Sequence, residues 1–173
     1  MTASSTVRVA AQSCSGRTGG RSRVEPKGKK AGGKKSSALH ATIWSDGAAR
    51  GNPGNAGVGW IIESGGETLL EGGRFIGTAT NNVAEYEGAL DGLQKALDLG
   101  VSTVDLKMDS ELVVRQINGV YRVKDPKLRE RYGRLRAIIA QFAGFAAVHI
   151  PREENKRADR LANEAIDAAV KGR

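Results

Sequence analysis

The stretch Ile43–Trp60, IWSDGAARGNPGNAGVGW, constrains the fold more than any other part of the chain. A short apolar run delivers one carboxylate, Asp46. It then gives way to Gly51, Asn52, Pro53, Gly54, Asn55 and Gly57 before apolar residues resume at Val58. This is the pattern of a strand, a turn and a second strand. An acid at the end of a hydrophobic strand is costly to bury unless hydrogen bonds or a metal compensate for it. The rest of the chain must therefore supply Asp46 with partners.

Regular patterning begins at His40. Strands are expected at His40–Asp46, Gly57–Glu63 and Thr68–Ile76, and the short connections between them imply an antiparallel meander. Asn82–Leu99 carries Val83, Tyr86, Leu90, Leu93 and Leu97 at helical spacing and stops at Gly100. A strand at Thr103–Met108 ends at Asp109. Helices follow at Ser110–Ile117 and Pro126–Phe142, then a strand at Phe145–Ile150 and a last helix marked by Ala158, Leu161, Ala162, Ala165, Ile166 and Ala169. The order β-β-β-α-β-α-α-β-α predicts an α/β fold. Its sheet is mixed and five-stranded, three antiparallel strands followed by two parallel ones, with helices on both faces. Sites in such sheets form at the carboxyl ends of adjacent strands. Asp46 and Asp109 are both expected at strand ends, and they meet if the first and fourth strands are parallel neighbours.

Charge divides the chain in two. The net charge is +8, but nine of the 27 Lys and Arg residues and one of the 19 acids precede His40, which leaves eighteen of each sign in the remainder. The basic balance thus belongs to residues 1–38, a Ser-, Gly-, Lys- and Arg-rich segment too poor in apolar side chains to offset its ordering entropy. It is expected to be a disordered basic tail ahead of a folded domain at 39–173. A solvated linker, a salt-sensitive nucleic-acid tether and an organelle transit peptide are three readings of that tail. Cys14 has no second cysteine to pair with, and no apolar run approaches membrane-spanning length.

Two further acids lie where helices can carry them toward the strand ends. Glu85 sits in the first turns of its helix beside the inward stripe, and Asp159 holds the same kind of place in the last helix. Either acid alone is adequately explained by a favourable interaction with the helix dipole. Four converging carboxylates without matching cations would repel one another, and divalent metal ions relieve that repulsion.

The segments TIWSDGAARGNPGNAGVGW, TATNNVAEYEGAL, LKMDSELVVRQI and HIPREENKRADRLANEA, in this order and spacing, resemble the ribonuclease H family. The likeness is to its type 1 enzymes, in the short form common in bacteria and archaea, and it spans about His40 to Ala169. The resemblance implies that Asp46, Glu85, Asp109 and Asp159 are catalytic metal ligands, with Asp46 bridging two Mg²⁺ ions about 3.5–4 Å apart, Mn²⁺ being an alternative. It implies hydrolysis of the RNA strand of RNA–DNA hybrids to 5′-phosphate and 3′-hydroxyl ends. Gly51, Asn52, Thr80, Asn81 and Asn82 are expected to contact substrate, with Gly54 helping backbone approach the groove. For the polar residues, turn and N-cap chemistry is the competing explanation.

Two departures from the family pattern stand out. Longer members carry a basic handle where this chain has only Asn118–Asp125, so grip on the duplex falls to other residues, the cluster Arg122, Lys124, Lys127, Arg129, Arg131, Arg134 and Arg136 among them. A mobile family His corresponds in spacing to His149, which here lies in a strand-like segment, with Arg152 a competing phosphate contact. Both are auxiliary candidates. A non-catalytic hybrid-binding module and a nuclease acting on double-stranded RNA are the alternative functions. The expected setting is a cytoplasmic monomer working on nucleoid-associated substrate, with organelle targeting by the tail as an alternative.

Overall fold

The computed structural model describes residues 5–9 and 38–172. Strands β1 (Ser5–Val9), β2 (His40–Gly51), β3 (Gly54–Ser64), β4 (Glu67–Ala79), β5 (Thr103–Met108) and β6 (Gly144–His149) form one sheet in the order β1-β4-β3-β2-β5-β6. Pairings from β1 through β4 and β3 to β2 are antiparallel, and those of β2 with β5 and β5 with β6 are parallel. The five expected strands and their directions are present. β1 is an addition, and it corrects the reading of the whole tail as disordered. STVRV is rich in β-branched residues and pairs along the β4 edge from Ser5–Arg74 to Val9–Leu70. Residues 1–4 and 10–37 of that tail lie outside the described residues.

Four helices flank the sheet: α1 (Asn81–Asp98), α2 (Glu111–Ile117), α3 (Pro126–Ile139) and α4 (Lys156–Lys171). α1 lies across β2 and β3 on one face and carries α3 on its outer side, whereas α4 covers β2, β3 and β4 on the other. The apolar core follows this division. Ile43, Trp60, Ile62, Tyr86, Leu93, Leu106, Met108 and Leu135 fill the α1 side, while Trp44, Ile61, Ala158 and Leu161 form a smaller cluster beneath α4. Among the described residues no helix is long and apolar enough to cross a membrane.

The β2–β3 hairpin differs from its expected form. Pairing continues from Thr42–Glu63 through Asp46–Gly59 to Gly51–Gly54, so the connection is only Asn52 and Pro53. The small residues Ala48, Ala49 and Ala56 and the intervening glycines have weak strand preference, but ladder hydrogen bonds and cover from both helical layers override it. Asp46 is therefore mid-strand and not at a strand end.

Candidate metal centre

Register explains how Asp46 and Asp109 meet. The parallel β2–β5 ladder closes at Trp44–Lys107, so Asp46 and Asp109 are each two residues past its last pair. β5 stops at Met108, and Asp109 turns out of the sheet beside a β2 strand that continues. Glu85 arrives from α1 because Gly47 has no side chain. A Cβ at that position would lie 2.1 Å from the carbonyl carbon of Ala84 and 2.2 Å from the amide nitrogen of Glu85. Asp159 arrives from the opposite face by the same device. A Cβ at Gly59, the β3 partner of Asp46, would lie 2.2 Å from the carbonyl oxygen of Ala158.

The oxygen donors of Asp46, Glu85 and Asp109 lie within 4.8 Å of one another. Asp46 and Glu85 are each 5% exposed. Burial first, and then the charges of Asp109 and Asp159, push the Asp46 carboxyl up to about 8. Burial likewise holds Glu85 well above the usual carboxylate range, with the charges of Asp46 and Asp109 adding to the effect. Asp159 stands outside the three-acid group but near enough to Asp46 for its charge to push that carboxyl up. It also faces Arg152, whose Nη2 is 3.4 Å from its Oδ1. The buried Oε2 of Glu85, Oγ of Ser45 and Oδ1 of Asn155 have no hydrogen-bond partner. A buried, mutually repelling set of oxygen donors with an orphaned carboxylate oxygen fits a hard divalent cation, which would replace the protons that otherwise relieve the repulsion.

The hairpin tip reaches the start of α1, where the Oδ1 of Asn52 accepts from the backbone N–H of Asn81 at 3.3 Å. Asn52, Asn81 and Asn82 are exposed, so these three substrate candidates form one surface. Thr80 is the N-cap of α1, its hydroxyl accepting from the Val83 N–H at 3.4 Å. The glycines of the tip serve the turn itself: Gly51 has φ of 101°, and a Cβ at Gly54 would lie 2.0 Å from the Arg50 carbonyl oxygen. His149 ends β6 opposite Met108 with its side chain exposed, so it is in a strand as expected but is not a core histidine. Arg152 begins a 3₁₀ turn, Arg152–Glu154, immediately before α4.

The basic cluster is divided by its contacts. Arg131 donates to Glu87 at 2.8 Å and Arg134 lies 3.8 Å from the same carboxylate, which also faces Arg74 of β4. These residues tie α3, α1 and the sheet together. Arg122, Lys124, Lys127, Arg129 and Arg136 are exposed.

Sequence reasoning did not single out Asn155, which is 1% exposed and donates from Nδ2 to Asp109 Oδ1 at 2.7 Å and to the Ser45 carbonyl at 3.0 Å. Its place just ahead of the helix bearing Asp159 reads in sequence as an ordinary N-cap. Gly47 and Gly59 carry no clear signal in sequence either, since glycine within a strand pattern signals close backbone approach only once the neighbour is known.

Comparison with known proteins gives a consistent result. Residues 44–165 match the family model described as "Reverse transcriptase-like". Ribonuclease HI of Halobacterium salinarum is 46% identical over 132 residues, covering 76% of this chain and 65% of that protein; the chain thus spans less than two thirds of this relative's length. The crystal structure of RNase H1 from Halobacterium salinarum NRC-1 superposes with a TM-score of 0.73 at 45% identity, covering 75% of this chain and 98% of that one. LC11-RNase H1, solved in complex with an RNA/DNA hybrid, superposes with a TM-score of 0.72 at 46% identity, covering 75% of this chain and 99% of that one.

Proposed function

The chain belongs to the ribonuclease H family, and from that premise we propose that it is a divalent-metal-dependent endonuclease that hydrolyses the RNA strand of RNA–DNA hybrids. The observation that carries the reading is the buried group of Asp46, Glu85 and Asp109, whose donors lie within 4.8 Å of one another, with Asp159 alongside. The similarity to an RNase H1 solved on an RNA/DNA hybrid supports the choice of substrate.

Mg²⁺, or Mn²⁺ in its place, would be held by Asp46, Glu85, Asp109 and Asp159. When bound, it supplies a Lewis acid at the scissile phosphate and a water of lowered pKa. The chain's own residues prepare for that binding. Asp46 faces both the Glu85–Asp109 side and Asp159, and would be the ligand common to the two sides. Burial and mutual repulsion favour protons on Asp46 and Glu85, so a cation held there would compete with those protons. Arg152, exposed and paired only loosely with Asp159, is free to turn toward a phosphate at the rim. His149, exposed at the end of β6, would be a second auxiliary group.

Asn52, Asn81 and Asn82 offer amide donors and acceptors suited to the 2′-hydroxyls and base edges of a hybrid's minor groove, with Gly51 beside them. Thr80 contributes through its cap, which fixes the start of α1 and therefore both asparagines. Cleavage is expected to leave 5′-phosphate and 3′-hydroxyl ends. The experiment is a cleavage assay on labelled RNA–DNA hybrid, duplex RNA and duplex DNA, with Asp46→Asn and Asp109→Asn as controls. Hybrid-specific, metal-dependent cutting lost in both variants supports the reading. Hybrid binding without hydrolysis would make the chain a binding module, and preferential cutting of duplex RNA would change the substrate.

A further inference from the structure

We infer that Asn155 is a positioning residue that gives up its helix-capping role to hold Asp109 in a metal-binding orientation. The inference deepens the metal reading above and rests on it. The contrast with the other helix starts motivates it. Thr80, Ser110 and Asp125, ahead of α1, α2 and α3, each turn their side chain inward to accept a backbone N–H from the first turn. Asn155 stands at the same position ahead of α4, is among the best capping residue types, and makes no such bond.

Its amide is committed elsewhere. Both partners of Nδ2 are oxygen acceptors, the Asp109 carboxylate at 2.7 Å and the Ser45 carbonyl at 3.0 Å, so the nitrogen must face them and its two N–H groups are both used. This orientation leaves Oδ1 buried without a partner. The residue thus forgoes a cap and orphans an oxygen, two local costs. The return is at the acids. The β2–β5 ladder ends at Trp44–Lys107, and Asn155 takes up the carbonyl of the next β2 residue, just ahead of Asp46. Through its own backbone carbonyl it accepts the N–H of Asp159 at 3.0 Å. One residue therefore connects the strand bearing Asp46, the loop bearing Asp109 and the helix bearing Asp159. As a neutral donor it orients the Asp109 carboxylate without cancelling the charge a cation needs, which Lys or Arg would do.

The test is calorimetric titration of Mn²⁺ into the full-length protein and its Asn155→Ala and Asn155→Ser variants, with the metal-free melting temperature of each measured in parallel. Serine can cap α4 but is too short to reach Asp109, so it separates helix capping from carboxylate positioning. The expected result is that Mn²⁺ affinity falls about ten- to a hundredfold in both variants. In the metal-free state Asn155→Ser should melt at or above Asn155→Ala. Wild-type affinity in both variants, with or without a lowered melting temperature, would overturn the inference and leave the metal reading intact. Absence of Mn²⁺ binding by the unmodified protein would overturn the metal reading and this inference with it.

Discussion

At the scale of single residues, the carboxyl of Asp46 sets the balance between stability and function. Its folded pKa of about 8 stands against an ordinary 3.8, so between these values the folded, metal-free protein keeps a proton that the unfolded chain has released. Raising the pH through this window favours the unfolded state, by at most about 1.4 kcal/mol per pH unit for each such group. The metal-free protein should therefore lose stability from pH 5 to pH 8 more steeply than its Asp46→Asn variant, which chemical denaturation at several pH values can measure. Equal slopes would show that Asp46 is not held protonated. Added Mg²⁺ should raise the melting temperature more at pH 8 than at pH 6, because protons compete with the cation. Asp46 was legible in the sequence because one charge in an apolar run has few explanations. Asn155 was not, because an asparagine before a helix has an ordinary reading, and only the distance to Asp109 displaces it.

At the scale of elements, two backbone contacts place the helices. Gly47 lets α1 touch β2, and Gly59 lets α4 touch β3, so each helix acid is set by a missing side chain on the opposite element. Gly47→Ala forces a Cβ against backbone that cannot move aside as a side chain would. Its expected cost is roughly 1–3 kcal/mol, with hybrid cleavage reduced further than that loss of stability explains. Comparison of denaturation with steady-state cleavage at a temperature where the variant stays folded checks this. Cleavage unchanged in the folded variant would mean that α1 can shift without moving Glu85. By contrast Thr80→Ala should cost about 1 kcal/mol through the lost cap and act mainly on stability. The order and type of these elements were legible from periodicity: β5 has the expected bounds, and α1 begins and ends one residue early. The length of the β2–β3 hairpin was not, since Ala48 through Gly51 carry no strand signal of their own and are held by their partners across the ladder. β1 was hidden for a related reason, since only Thr6, Val7 and Val9 of its five residues favour a strand and they lie within a polar, glycine-rich segment.

At the scale of the whole molecule, the sheet with helices on both faces explains why three acids distant in sequence gather at one place with a fourth, Asp159, beside Asp46. β2 supplies one, the end of its parallel neighbour a second, and one helix from each face the others. Charge is distributed differently: the part from His40 onward is balanced, and the excess lies before it. We therefore expect the tail to add salt-sensitive affinity without specificity. Replacing Lys27, Lys29, Lys30, Lys34 and Lys35 by Gln in the full chain leaves β1 untouched. It should weaken hybrid binding at low salt and flatten the dependence of log affinity on log salt, each lost phosphate contact reducing the slope by about 0.9 for duplex DNA. An unchanged slope would make the tail a passive linker.

If the buried acids form a divalent-metal site that cuts RNA paired with DNA, cleavage requires the metal and the acids together. The most direct test follows a labelled RNA strand in hybrid duplex with the full-length protein and its Asp109→Asn variant, each with Mg²⁺ and with EDTA. The expected result is RNA cleavage by the unmodified protein with Mg²⁺, and none in EDTA or by the folded variant. Cleavage that persists in EDTA, or near-normal cleavage by Asp109→Asn, would contradict it.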